Sequence, residues 1–324
     1  MPSDKRFEEA YKKLAEAQHE VEKVIRGQKS MVKASFRAMI CNGHVLLEGL
    51  PGLGKTVLTR SLAEICDLMF KRVQFTTDLL PSDIIGTVTY NEGQFDILKG
   101  PIFCNILLAD EINRAPPKVQ SALLEAMAER QVTIGKQSYI LDSPFIVIAT
   151  QNPIETGGTF PLPEAQLDRF IFKLNMEYPG FEAEYEILEE NLNNKSFEEY
   201  NLSKMLDPQD IMSLQQLVSH VHIEPRLKEY ILNIIRATRN PYESKLEYAH
   251  MLKIGASPRA SINILLAARA EAILEGRDYV TPQDIKTILF DVLAHRIHLN
   301  FKAKMEQVTS EMIIKDILRK ISIY

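Results

Sequence analysis

Hydrophobic and polar positions along this chain repeat with two periods. Up to residue 174, short apolar runs alternate with stretches of helical spacing; after Gly180 only the helical spacing remains. His44-Val45-Leu46-Leu47-Glu48, Asn105-Ile106-Leu107-Leu108-Ala109 and Phe145-Ile146-Val147-Ile148-Ala149 read as short buried strands. Lys71 to Phe75 alternates, and Phe170 to Leu174 is the last run of this kind. Between them Val57, Leu58, Leu62 and Ile65 fall at helical spacing. So do Val119, Ala122, Leu123, Ala126 and Met127, behind Pro116-Pro117. Two helices come first. Phe7, Tyr11, Leu14, Val21, Val24 and Ile25 trace one face; after a break at Gly27-Gln28, Val32, Phe36 and Ile40 trace another. Strands alternating with helices predict a parallel α/β sheet.

Beyond Gly180, Leu227, Tyr230, Ile231, Ile234 and Ile235 form one stripe, and Ile262, Leu265, Leu266 and Ile273 a second. Thr281-Pro282-Gln283-Asp284 has the form of a capping box with proline at the first helical position. The expected organisation is an α/β core with its N-terminal helix over residues 1–180 and an all-helical domain over 181–324. Two hairpins interrupt the core. Thr87 to Tyr90 and Gln94 to Ile97 flank Asn91-Glu92-Gly93; Gln131 to Ile134 and Ser138 to Leu141 flank Gly135-Lys136-Gln137. The first lies in the stretch from Thr76 to Phe103, too long for a bare connector, and loops of that length usually carry function. Tyr90 and Phe95 near its tip either grip a protein chain or pack back on their own domain.

Composition narrows the class. The chain has 324 residues, 45% hydrophobic and 25% charged, ordinary for a soluble globular protein of two domains. A net charge of −5 argues against a large nucleic-acid footprint. Cys41, Cys66 and Cys104 lie far apart and read as small core residues in a reducing compartment. The histidine pairs His220/His222 and His295/His298 lack further ligands at metal-site spacing. Met1 to Glu9 is charged without an apolar core, and no apolar run approaches a membrane span, so a cytoplasmic protein is expected.

Gly49-Leu50-Pro51-Gly52-Leu53-Gly54-Lys55-Thr56 fits the G-x-x-x-x-G-K-[ST] phosphate loop at every fixed position, between a strand and a helix as that motif requires. Its glycines let backbone N–H groups turn toward phosphate oxygens, and the helix N-terminus adds positive dipole. Lys55 can reach β- and γ-phosphates, and the Thr56 hydroxyl can ligate Mg²⁺. Asp110-Glu111 closes an apolar strand, which sets both carboxylates at the sheet edge beside that loop. Asp110 suits Mg²⁺, directly or through water, and Glu111 suits polarising an attacking water. Kinases need no water-activating carboxylate there, so the pair points to hydrolysis.

With those two motifs the chain resembles the AAA+ ATPases. The runs Gln74-Phe75-Thr76-Thr77-Asp78-Leu79-Leu80-Pro81-Ser82-Asp83, Asp110-Glu111-Ile112-Asn113-Arg114-Ala115-Pro116 and Leu162-Pro163-Glu164-Ala165-Gln166-Leu167-Asp168-Arg169-Phe170 resemble the MoxR branch in particular. Thr77 stands where that branch usually has proline, a change that touches loop rigidity and no catalytic role. The resemblance covers nearly the whole chain and implies a P-loop αβα core followed by a helical lid. It assigns ATP contacts to Gly27, Gly49, Pro51, Gly52, Leu53, Gly54, Lys55, Thr56, Val57 and Arg259, and Mg²⁺ to Thr56 and Asp110. Catalytic roles fall to Glu111, to Asn152 as the sensor 1 residue and to Arg169 as an arginine finger reaching a neighbouring subunit.

Each of the last assignments has a plainer counterpart. Asn152 also suits a turn before Pro153, Arg169 a salt bridge with Asp168 or Glu164, and Arg259, read as the sensor 2 arginine, a helix cap. Ile25 to Gln28 resemble the segment beside adenine, and Arg114 and Arg130 are further candidates for a trans arginine. The resemblance further implies a ring, a hexamer, and protein clients that include von Willebrand factor A-type domain proteins. An AAA+ nucleic-acid motor or loader is the rival class, against which stand the acidic charge and the lack of an appended DNA-binding helix pair or zinc motif. A nucleotide-gated module with little turnover is a third, opposed by Glu111 and Arg169 together.

Overall fold

The computed structural model describes residues 5–91, 94–153, 157–191 and 196–323. Helices α1 (Lys5–Glu22) and α2 (Lys29–Ile40) lead into strand β1 (Val45–Glu48), the phosphate loop and α3 (Lys55–Ile65). Strand β2 (Phe70–Gln74) is followed by the short α4 (Pro81–Ile85) and the hairpin of β3 (Gly86–Asn91) and β4 (Gln94–Lys99). Its expected turn residues Glu92 and Gly93 lie outside the described residues, as do Met1 to Asp4 of the charged start. Strand β5 (Ile106–Asp110), α5 (Pro117–Glu129) and the hairpin of β6 (Gln131–Ile134) and β7 (Gln137–Ile140) come next. Then β8 (Ile146–Gln151), the single turn α6 (Glu164–Leu167) and β9 (Phe172–Asn175) complete this part.

Five of these strands form one parallel sheet in the order β2-β5-β8-β1-β9. Its central strands read as nearly unbroken apolar runs because both faces are covered, and Leu46, Leu107 and Val147 are fully buried. The edge strand β2 keeps polar alternation, with Val73 buried and Arg72 and Gln74 exposed. Parallel strands all finish at the same rim. Hence the ends of β1, β5 and β8 (Glu48, Asp110 and Gln151) stand side by side with the phosphate loop.

The region after Gly180 is helical: α7 (Phe181–Asn191), α8 (Pro208–Val218), α9 (Pro225–Arg239), α10 (Pro258–Leu274) and α11 (Pro282–Leu293). One small departure from helices alone is an antiparallel pair, β10 (Leu252–Ile254) with β11 (His298–Leu299), before α12 (Phe301–Met305) and α13 (Ser310–Lys320). The expected capping box forms: Thr281 caps α11, and its N–H and Oγ1 both donate to Asp284, at 2.6 and 2.9 Å. The α9 stripe is buried as its spacing predicts.

Three expectations on helix faces are corrected. Ile262 is exposed, because α10 is enclosed on several sides and buries Ala260, Ile264, Ala267, Ala268 and Ala270 instead. Small residues allow the close approach, and they carry little periodic signal. Val24 and Ile25 lie past the end of α1, in the turn toward α2. Tyr11 is half exposed, its ring lying over Gly276 rather than in the core.

The N-terminal helices face the later ones. Lys33 and Arg37 of α2 both pair with Glu271 of α10, at 2.8 and 2.6 Å, and Arg37 also reaches Asp291 of α11. Arg37 and Glu271 are almost completely buried. Burial pushes the Asp291 carboxyl up to about 6, with Arg37 opposing and Glu271 adding to the shift. The three cysteines are free thiols; Cys66 and Cys104 are buried, and burial raises all three, Cys41 and Cys104 to about 12.

Candidate active site

The phosphate loop is held in shape by its neighbours. At Gly52 (φ +82°) and Gly54 (φ +85°) the backbone adopts a conformation that favours glycine, and a Cβ there would meet nothing within 4 Å. They leave the backbone open in front of the N-terminus of α3. Gly49 is glycine for a different reason, since a Cβ would sit 2.8 Å from the carbonyl oxygen of Met176. The Lys55 amine donates to the carbonyl oxygen of Gly49. Its half-burial lowers its pKa, while Asp110, Glu111 and Glu48 pull the other way.

Lys55, Thr56, Asp110, Glu111 and Asn152 line one cavity of about 430 Å³, together with Pro51 to Gly54 and Val57. Asp110 is held on both oxygens. The Thr150 hydroxyl donates to Oδ1 at 2.6 Å, and Arg72 donates to Oδ2 through Nη2 at 2.6 Å and Nε at 3.1 Å. Glu111 sits at φ +57°, its N–H donating to the Thr150 hydroxyl at 2.8 Å. Its Oε2 accepts from Gln74 at 2.8 Å and from Arg114 at 3.0 Å. Asn152 is buried at the end of β8.

A second cavity of about 400 Å³ opens on the other side of the loop, lined by Ile25, Arg26, Gln28, Leu53, Val57 and Tyr178 among others. Both volumes suit parts of a small ligand. Gly27 itself is not in the lining. It turns the chain at φ +70°, and a Cβ there would meet that of Ala183 at 2.5 Å. Arg169 and Arg259 lie in neither cavity. Arg259 stands instead beside Asp168, where the core meets the lid region. Asp168 accepts from Arg296 Nε at 2.7 Å and from the Ser257 hydroxyl at 2.9 Å, and Arg259 approaches it at 3.9 Å. Arg169 donates to the carbonyl oxygen of Leu124 at 2.8 Å. Arg130, raised as a trans candidate, spends its guanidinium on the carbonyls of Asn42 and Phe145 in its own chain.

The match to known proteins shows which family the chain belongs to. The family model for the ATPase family associated with various cellular activities (AAA) matches residues 44–172, and that for the AAA lid domain matches 247–317. The chain is 43% identical to the chaperone MoxR1 of Mycobacterium tuberculosis, covering 96% of this chain and 82% of that one. It is 33% identical to the protein MoxR of Paracoccus denitrificans over 92% of both. The chain belongs to the MoxR-type AAA ATPases. A solved structure of a candidate ATPase from Cytophaga hutchinsonii superposes with a TM-score of 0.91 at 46% identity, covering 98% of this chain and 97% of that one.

In this MoxR-type ATPase the glycine loop after β1 shares a cavity with the two carboxylates at the end of β5. Periodicity alone misses Arg72, Gln74 and Thr150, which grip those carboxylates. The usable signal was the alternation of β2: residues 72 and 74 share one face of an edge strand that ends level with Asp110. Among the described residues no helix is long and apolar enough to cross a membrane.

Proposed function

We propose that this MoxR-type ATPase binds ATP with Mg²⁺ at the phosphate loop, hydrolyses it, and uses the cycle to remodel or assemble protein partners. The observation that carries this reading is the single cavity shared by Lys55, Thr56, Asp110, Glu111 and Asn152. The residues present fit the Mg²⁺–nucleotide pair. Two glycines at positive φ open the loop, an amine half-buried among carboxylates faces it, and a hydroxyl and a carboxylate stand as oxygen donors for a hard cation. Thr56 and Asp110 would hold the ion, which when bound neutralises charge building up on the phosphates. Lys55 binds the β- and γ-phosphates, Glu111 orients and deprotonates the attacking water, and Asn152 positions that water. Ile25 to Gln28 and Val57 border the base side. Arg259 reads the nucleotide from the lid, while Arg169 acts on the site of an adjoining subunit in a ring, a hexamer. Clients of the von Willebrand factor A-type domain class follow from the family resemblance alone.

Titration with a fluorescent ATP analogue, alongside turnover, tests the assignment. Lys55→Ala should abolish binding, because it removes the charge facing the phosphates. Glu111→Gln should bind normally and lose turnover. If both variants bind, or neither does, the division of roles is wrong.

A further inference from the structure

The proposed metal ligand already has a cation on it. Arg72 projects from edge strand β2, which runs parallel to β5 with Arg72 opposite Leu108 and Gln74 opposite Asp110. Its guanidinium places two donors, Nη2 at 2.6 Å and Nε at 3.1 Å, on the same oxygen, Oδ2 of Asp110. The other oxygen accepts from Thr150 at 2.6 Å. Arg72 Nη2 also donates to Oε1 of Gln74 at 3.1 Å, and Gln74 in turn donates to Glu111 at 2.8 Å. Asp110 is mostly buried, whereas Arg72 is half exposed and lines the same cavity as Lys55. A half-exposed arginine can swing away at small cost; a mostly buried aspartate cannot. The mobile partner is therefore Arg72.

We propose that Arg72 is a resident counter-ion on Oδ2 of Asp110 and competes with the metal for that oxygen. This rests on the assignment of Asp110 to the metal. One consequence follows from the hydrogen bonds: guanidinium and metal compete for the same oxygen, so Arg72 weakens the binding of a divalent ion at Asp110.

The test is Mn²⁺ binding by electron paramagnetic resonance on the full chain, first without nucleotide and then with a non-hydrolysable ATP analogue. In the nucleotide-free protein, Arg72→Gln should raise Mn²⁺ affinity about threefold to tenfold, the range for a partly exposed charge-assisted pair. Arg72→Lys keeps the charge but loses the two-donor grip, and should fall between the two. Arg114→Gln removes an equal charge from Glu111 and leaves Oδ2 covered, so it should give less than half the gain. Melting curves confirm that each variant is folded. Unchanged affinity in Arg72→Gln, or equal gains from Arg72→Gln and Arg114→Gln, overturns the proposal while leaving the metal site standing. Failure of the parent protein to bind Mn²⁺ even with the nucleotide analogue sinks the metal assignment and the proposal together.

Discussion

At Gly27 packing alone gives a reason for glycine. It turns the chain between α1 and α2 at φ +70°, close enough to α7 that a Cβ would sit 2.5 Å from that of Ala183. Gly27→Ala should cost about 1–3 kcal/mol through backbone strain and overlap, read as a lower melting temperature. A melting point within a degree of the parent would show that the turn relaxes freely. His44 sets a different limit. It is buried between Met127 and Val147: its Nε2–H donates to the Met127 carbonyl, and its Nδ1 accepts from the Val147 N–H at 2.9 Å. Burial, with Arg130 adding, pushes it down to about 3. The unfolded chain takes up its proton near pH 6.5 and the folded chain does not. Stability from this group is therefore complete above pH 6.5 and lost as the pH falls toward 3, by about 1.4 kcal/mol per pH unit. Denaturant titrations at pH 7 and pH 5 on the parent and His44→Gln should show a shallower acid loss in the variant. Equal slopes would mean another group dominates.

At the scale of elements, the β3–β4 hairpin is the part whose packing does not explain it. Tyr90 and Phe95 are 67% and 77% exposed and face each other with ring centroids 5.0 Å apart, so they do not pack back into the core. Replacing both with alanine should leave basal ATPase and melting temperature unchanged, and weaken client capture in a pull-down. A drop in basal rate would tie the aromatics to the ATPase cycle instead. The hairpin was legible because alternation and turn residues are local signals, as were the strands of the sheet and the phosphate loop. Other features left no local trace. The burial of α10 rests on alanines, whose spacing says little about which side faces inward. Arg72 looks like an ordinary polar position on an edge strand until Asp110, far along the chain, is folded beside it. The sequence offered Arg169 as the ion-pair partner of Asp168, yet the residue that takes that carboxylate is Arg296, 128 positions away. Contacts across such separations have no periodic signature, and only the closed fold reveals them.

For the whole molecule, Asp168 and Arg169 join two events through one peptide bond. Asp168 ties the core to the lid region through Arg296 and Ser257, and Arg169 is the proposed finger toward the next subunit. Arg169→Ala should keep ATP binding and lose about 10³–10⁵ of the rate. Mixing it with Lys55→Ala protein should restore part of the turnover wherever an intact Arg169 meets an intact Lys55 site. No recovery in mixtures shown to co-assemble would count against action in trans. The same integration appears at the start of the chain, where α1 and α2 pack against α8 and α10 and Arg37 is buried on Glu271. On a ribosome, α1 and α2 emerge about 250 residues ahead of the helix that covers them, a wait of roughly ten to fifty seconds at ordinary synthesis rates. Through that interval the apolar faces of Phe7, Leu14, Val32 and Phe36 lack one of the walls that bury them in the finished fold. A nascent chain released near residue 180 would carry that exposed surface permanently, which makes it a substrate for chaperones.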